Sequence, residues 1–230
     1  MINTNKKRID IMWDNFLPKI EKEFNFEKET FLQRELIKRT IAGGTAIACD
    51  RISSQIGTEH FVEESKIGAP NLYKGYTLVS YQHYWYIHLI EKHIKPIENF
   101  NSIVEIGAGY GNLRRLIGNK CENYSIVDFD IMRQIQKYFL ENNNVYNTNF
   151  ISQNEIKEAD LLFASHSICE IPIEERDFIP WDKFKNAFVF FNPGGLAGVD
   201  NVKYFNGIAE EYNGKIFMDE IRPGKKYLVI

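Results

Sequence analysis

The stretch Val104-Glu105-Ile106-Gly107-Ala108-Gly109-Tyr110-Gly111-Asn112 constrains this chain more than any other. It follows a short strand-like run, Ser102 to Ile106, and opens a helix expected from about Asn112 to Ile117. Glycine has no Cβ, so the backbone there can turn sharply and approach a ligand closely. A dinucleotide fingerprint needs G-x-G-x-x-G, and its third glycine would fall at Asn112. The spacing here is instead G-x-G-x-G, preceded by Glu105. The next strand, Tyr124 to Val127, ends at Asp128. A carboxylate in that place can accept hydrogen bonds from both hydroxyls of an adenosine ribose.

The texture of the chain changes near residue 100. Before it the pattern is helical: Ile11, Met12, Phe16, Leu17 and Ile20 recur at three- and four-residue steps, and Phe31, Leu32, Leu36 and Ile37 repeat the pattern. Gly43-Gly44 is expected to interrupt or end that second helix. Residues 66–78 read as a loop, and Leu78 to Ile94 as a long aromatic helix. After residue 100, strand and helix alternate. A helix is expected over Ile131 to Asn142. Further strands are expected near Thr148–Ile151, Asp160–Ala164 and Ala187–Phe191, then a helix over Val199–Tyr212. Lys215–Glu220 and Lys226–Ile230 form a terminal hairpin about Arg222-Pro223-Gly224. Such alternation implies a mostly parallel α/β sheet covered on both faces, with ligands bound at the carboxyl ends of its strands.

Glu105-x-Gly107-x-Gly109-x-Gly111 followed by Asp128 resembles the cofactor site of class I S-adenosylmethionine-dependent methyltransferases. The resemblance spans roughly residues 101–230. It implies a Rossmann-like sheet of order 3-2-1-4-5-7-6 with strand 7 antiparallel, in keeping with the terminal hairpin. It also implies S-adenosylmethionine as cofactor, held by Glu105, Gly107, Gly109, Gly111, Asp128 and Ser165. Gln153 and Asn154 would lie at the adenine edge, with Phe150 or Ile151 over its face. The space beside Gly109 is expected to take the methionine portion.

A narrower resemblance spans most of residues 78–192. It rests on Tyr81-Gln82-His83-Tyr84-Trp85-Tyr86, Tyr124-Ser125-Ile126-Val127-Asp128, Gln136-Lys137-Tyr138-Phe139-Leu140 and Ser165-His166-Ser167-Ile168-Cys169-Glu170-Ile171. This succession is similar to a family of sugar O-methyltransferases from bacterial surface-polysaccharide clusters. That family tends to show S-x-x-x-S-E after strand four. Here Cys169 replaces the second serine, and His166 stands where asparagine is common. The resemblance implies an O-methyltransferase acting on a hydroxyl of a sugar, nucleotide sugar or polysaccharide precursor. A phosphoryl or phosphoramidate oxygen, an amine, or a non-catalytic binding module are the alternatives.

A hydroxyl acceptor must lose its proton as the methyl group arrives, which points to His166 and Glu170 just past strand four. His166 is expected to be the base, with an ordinary imidazole titrating near pH ~6–7. Glu170 is expected first to anchor the acceptor hydroxyl, with a second base or a carboxylate at a helix N-terminus as the other readings. The Tyr81–Tyr86 stripe has two readings, ring stacking on the acceptor or core packing, and the latter suits at least half of it. The loop Phe191-Asn192-Pro193-Gly194-Gly195 is a further candidate for acceptor contact. Residues 1–77 are expected to form a helical cap over the carboxyl edge, with residues 78–230 as the methyltransferase domain.

Composition narrows the partners. With 28 Lys+Arg against 31 Asp+Glu, the net charge of −3 leaves no basic excess for binding nucleic acid. No apolar run is long enough for a membrane span, and no secretory signal is visible after Lys6-Lys7-Arg8. Three scattered cysteines, Cys49, Cys121 and Cys169, suggest neither a disulfide framework nor a metal site, so a reduced cytoplasmic setting is expected. The expected partner is a small sugar or phosphorylated precursor, with homo-oligomerisation left open.

Overall fold

A strand buried on both faces reads as a nearly continuous apolar run, and Ala159–Ser165 is the clearest case. In the computed structural model, which describes residues 6–194 and 199–230, this segment is β4 at the centre of a seven-stranded sheet. The other strands are β1 (Ser102–Ile106), β2 (Asn123–Val127), β3 (Thr148–Ile151), β5 (Phe184–Phe191), β6 (Lys215–Met218) and β7 (Lys226–Val229). Their order is β3-β2-β1-β4-β5-β7-β6, as expected. β1 to β5 pair in parallel, and β7 runs antiparallel to both β5 and β6.

Period-two alternation sends the side chains of each central strand into two separate cores. Ile103, Leu161, Phe163, Phe188 and Phe190 enter one. Val104, Leu162, Ala164, Val189 and Phe191 enter the other. The first core is closed by α4 (Leu78–His93), α5 (Asn112–Ile117) and α6 (Asp130–Asn142). It continues without a break into Ile20, Phe24, Ile37 and Ile52 of the leading helices α1 (Lys6–Phe26), α2 (Glu35–Ile41) and α3 (Ala46–Ile56), and into Phe31 between the first two. The second is closed by α7 (Asn201–Glu211), through Phe205, and by the segment after β4. No helix of the described residues is long and apolar enough to cross a membrane.

Two local departures from the sequence reading, and one expectation that holds, have physical causes. Residues 28–41 form a 3-10 turn (Lys28–Gln33) and then α2, broken where Arg34 adopts an extended ψ of 133°. The break lets Phe31 and Leu32 both enter the core. Gly43-Gly44 does end the helix: Thr45 caps α3 by accepting the Ala48 amide at 3.3 Å. A Cβ on Gly44 would stand 2.7 Å from the Leu78 side chain, so only glycine lets this link cross α4. Between β4 and β5 the alternation fails, and the connection is three 3-10 turns, two of them opened by Pro172 and Pro180. Gly195 and the side chains of Ile11 and Met12 lie outside the described residues and side chains.

Candidate active site

The strand order reverses between β1 and β4, both of which end at the same edge of the sheet. A cleft of about 1170 Å³ opens over that edge, at the top of or above the usual ligand-pocket range. Gly107, Gly109, Asp128, Gln153, Asn154, Ser165, His166, Glu170 and Glu105 all line it. Gly111 does not; it starts α5 in a left-handed conformation, φ +92°, where a Cβ would meet Leu140 at 3.3 Å.

On the β1–β2–β3 side the turn is held by hydrogen bonds. The Gly107 amide donates to the Val127 carbonyl at 3.0 Å. The Ala108 amide donates to Asp128 Oδ2 at 3.1 Å, and the Phe129 amide to Asp128 Oδ1 at 2.9 Å. Gln136, fully buried on α6, ties the two together: its Nε2 donates to Asp128 Oδ2 at 2.7 Å and to the Gly109 carbonyl at 3.0 Å. The sequence reading gave Gln136 no role; a glutamine on the apolar face of an amphipathic helix is the signal that could have found it. Burial raises the Asp128 carboxyl to about 6, against the lowering effect of those donors. Glu105 is buried beneath the turn, accepts the Tyr124 hydroxyl at 2.7 Å, and is raised by burial to about 8.

Two steric expectations change. A Cβ on Gly107, at φ +74°, would lie 2.2 Å from Ser167 Cβ, so this glycine is demanded by the loop after β4. A Cβ on Gly109 would lie 3.4 Å from the Ile41 carbonyl oxygen, so the space beside Gly109 belongs to the leading helices. Phe150 and Ile151, expected to cover an adenine, do not line the cleft; Phe129 and Trp13 do, with ring centroids 5.8 Å apart.

The β4–β5–β7 side is built from side chains. His166 follows β4 at φ +65°, a conformation costly for most residues and easier for Asn, Asp and His. Its amide donates to the Phe190 carbonyl at 2.8 Å, its carbonyl accepts the Cys169 thiol, and its Nδ1 is buried with no partner among the described residues. The expected imidazole titration near neutrality is not what this setting gives. Burial first, then the charges of Arg222 and Lys225, lower it to about 3, so the ring is neutral throughout the working pH range. Glu170 is raised by burial to about 7. It closes a 3-10 turn, Ile168–Glu170, and so is not a carboxylate at the head of an α-helix.

The aromatic stripe divides cleanly. Tyr81, Tyr84, Trp85 and Tyr86 are buried in the core and do not line the cleft, while Gln82 and His83 between them do. Arg115 donates to Asn112 Oδ1 at 2.9 Å, which turns the Asn112 amide nitrogen toward His83 Nδ1, 3.3 Å away. That leaves the His83 proton on Nε2, and burial lowers its titration to about 3. His93 points elsewhere, to the Tyr227 hydroxyl at 3.1 Å. Asn192 does not line the cleft; its Oδ1 accepts Lys225 Nζ, and Lys225 and Arg222 do line it. Trp13, Asp14, Arg39, Thr40 and Ile41 of the leading helices also line it. Among the described residues no cluster of three or more His, Cys, Asp or Glu is arranged to hold a metal ion.

No family model matches the sequence, and no curated protein matches it. Solved structures do match the fold. The methyltransferase domain of bacterial CtHen1 superposes with a TM-score of 0.50 at 12% identity, over 64% of this chain and 96% of that one. The mitomycin 7-O-methyltransferase MmcR gives a TM-score of 0.50 at 10% identity, over 66% of this chain and 55% of its own. The fold is that of a class I methyltransferase.

Proposed function

We propose that this chain binds S-adenosylmethionine and transfers its methyl group to an oxygen of a small acceptor. The acceptor class is a sugar, nucleotide sugar or surface-polysaccharide precursor. The single observation that carries the cofactor reading is the Gly107–Gly111 turn tied through Ala108 and Gln136 to Asp128 at the switch point of this sheet. The residues fit the group. Asp128 Oδ1 has a single donor and keeps acceptor capacity for a ribose hydroxyl, while Oδ2 already accepts the Ala108 amide and Gln136. Phe129 and Trp13 offer aromatic faces, and the exposed Gln153 and Asn154 offer polar edges, for the adenine. When bound, the cofactor supplies an electrophilic methyl group on a sulfonium.

The chain's own work is to orient the acceptor, exclude water and take a proton. A base works best with a pKa near the working pH. Glu170, raised to about 7, suits that task better than His166 at about 3. We therefore assign Glu170 as the proton acceptor, and His166 as the residue whose Nδ1 accepts a hydrogen bond from the acceptor and orients it. The leading segment, described from residue 6 to 77, serves as the cap of the site, through Trp13 and Arg39 to Ile41. Transfer of labelled methyl from S-adenosylmethionine to a panel of nucleotide sugars and phosphorylated sugars tests the reading. Label on a sugar hydroxyl supports it. Label on a phosphoryl oxygen, already anionic, would dispense with Glu170, and a folded chain that binds no S-adenosylmethionine would overturn it.

A further inference from the structure

Arg222 opens the turn between β6 and β7 and reaches across the end of β5 into the cleft. Its side chain is 13% exposed. Three sides of the guanidinium are occupied. Nε donates to Asp219 Oδ2 at 2.7 Å, and Nη1 to the Tyr86 hydroxyl at 2.9 Å. Its central carbon lies 3.9 Å from the centroid of the Phe190 ring. Asp219 is itself fixed, its Oδ1 accepting Trp85 Nε1 at 2.9 Å and the Ile221 amide at 3.1 Å. The remaining nitrogen, Nη2, is buried and has no hydrogen-bond partner among the described residues. A buried donor without a partner is costly, the more so on a charged group, and needs an explanation; Arg176 Nη1 is another among the described residues, but Arg176 does not line the cleft and Arg222 does.

The surroundings say what would meet the Nη2 donor. The His166 ring packs on the same Phe190, 5.1 Å away, and its Nδ1 is the second unpartnered buried atom of the cleft. Lys225, three residues on from Arg222, also lines this end. His166 and Arg222 thus meet on one ring, and Lys225 and His83 line the same cleft. This end lies beyond β4, on the opposite side of the switch point from Asp128, Gln153 and Asn154. A rigid guanidinium with one free edge, a flanking ammonium and neutral imidazoles make a site for anionic oxygens.

We propose that Arg222 is a specificity-determining residue whose Nη2 edge, with Lys225, binds an anionic group on the acceptor, a phosphate or carboxylate carried on the sugar that is methylated. This rests on the methyl-transfer reading. It implies that the reaction supplying the acceptor is one that phosphorylates the sugar, couples it to a nucleotide, or oxidises it to an acid.

The test uses glucose 1-phosphate, glucuronate and methyl glucoside, which share a ring and differ in the anionic group. Each is titrated into the full chain, with and without S-adenosylhomocysteine. At least one anionic sugar should bind about tenfold or more tightly than methyl glucoside, the scale of one hydrogen bond to a charged group. The two anionic arms separate phosphate from carboxylate. In Arg222→Gln that advantage should disappear while S-adenosylhomocysteine affinity is unchanged. Arg222→Lys, which keeps the charge beside Asp219, should lose most of the advantage and guards against a glutamine variant that does not fold. Equal binding of the three sugars to the parent chain would overturn the proposal, as would an advantage that survives in Arg222→Lys. Loss of S-adenosylhomocysteine binding in the lysine variant would assign Arg222 to the cofactor's own carboxylate instead, and also overturns it. Failure of the parent chain to bind S-adenosylhomocysteine at all would count against the methyl-transfer reading, separately from the sugar comparison.

Discussion

The two halves of the sheet edge are built in opposite ways. On the β1–β2–β3 half, two backbone amides and the Gln136 side-chain nitrogen already donate to Asp128 before any ligand arrives, and among these groups only Gln136 Oε1 has no hydrogen-bond partner among the described residues. On the β4–β5–β7 half, His166 and Arg222 present buried atoms that no described residue satisfies, and Glu170 carries a carboxyl raised by burial. The first half is a preformed socket set by backbone geometry. The second is a set of side chains held ready at a cost in desolvation, which only a polar ligand recovers. Substitutions should therefore harm the first half through structure and the second through turnover.

The largest effect should come where both halves meet. Gly107→Val places a branched side chain at φ +74° and within clash distance of Ser167, whose hydroxyl donates to the Ile106 carbonyl. Left-handed strain plus overpacking should cost about 3 kcal/mol or more, read by denaturant unfolding. A variant as stable as the parent would show that the loop after β4 is not packed against the turn.

Glu170→Gln should come next, with turnover about a hundredfold lower or worse and cofactor affinity near parental. The pH profile sharpens this. A carboxyl raised to about 7 is protonated below that value and competent above it, so turnover should rise with pH through about 7 and then level off. The glutamine variant should lose that rise. A flat parental profile would transfer the proton-accepting role to His166, which is neutral across the whole range.

The smallest effect should be at His166. Asparagine tolerates the left-handed backbone and keeps a hydrogen-bonding side chain, so His166→Asn should retain most turnover. His166→Ala should lose roughly tenfold, the loss of one orienting hydrogen bond, with steady-state kinetics separating the two. Equal and severe loss in both would make the imidazole itself the base.

The same contrast explains what could be read before any coordinates. The glycine turn and Asp128 are legible because one short segment and one strand end must carry particular residue types for the backbone to fold there at all. Strand–helix alternation gave a mostly parallel sheet, and the strand order was what the resemblance carried by that turn and Asp128 implies, with the terminal hairpin in agreement. Arg222 was not legible: its position in the turn after β6 says nothing of Tyr86, Phe190 and Asp219, which fix it from three distant segments. His83 was hidden for a related reason, since a helix buried nearly all round gives no periodic sign of which residue faces a cleft. The depressed imidazoles and raised carboxyls depend on burial, which spacing along the chain does not report.

The central claim is that the preformed half is a socket for S-adenosylmethionine, and calorimetric titration with S-adenosylhomocysteine tests it most directly. The parent chain should bind it and show no heat with NAD, and affinity should fall as pH drops through about 6, where Asp128 takes up a proton. Asp128→Ala should weaken binding by about 1–3 kcal/mol at neutral pH, the range for losing hydrogen bonds to a charged group. Binding unaffected by Asp128→Ala, or tight binding of NAD with none of S-adenosylhomocysteine, would contradict the account.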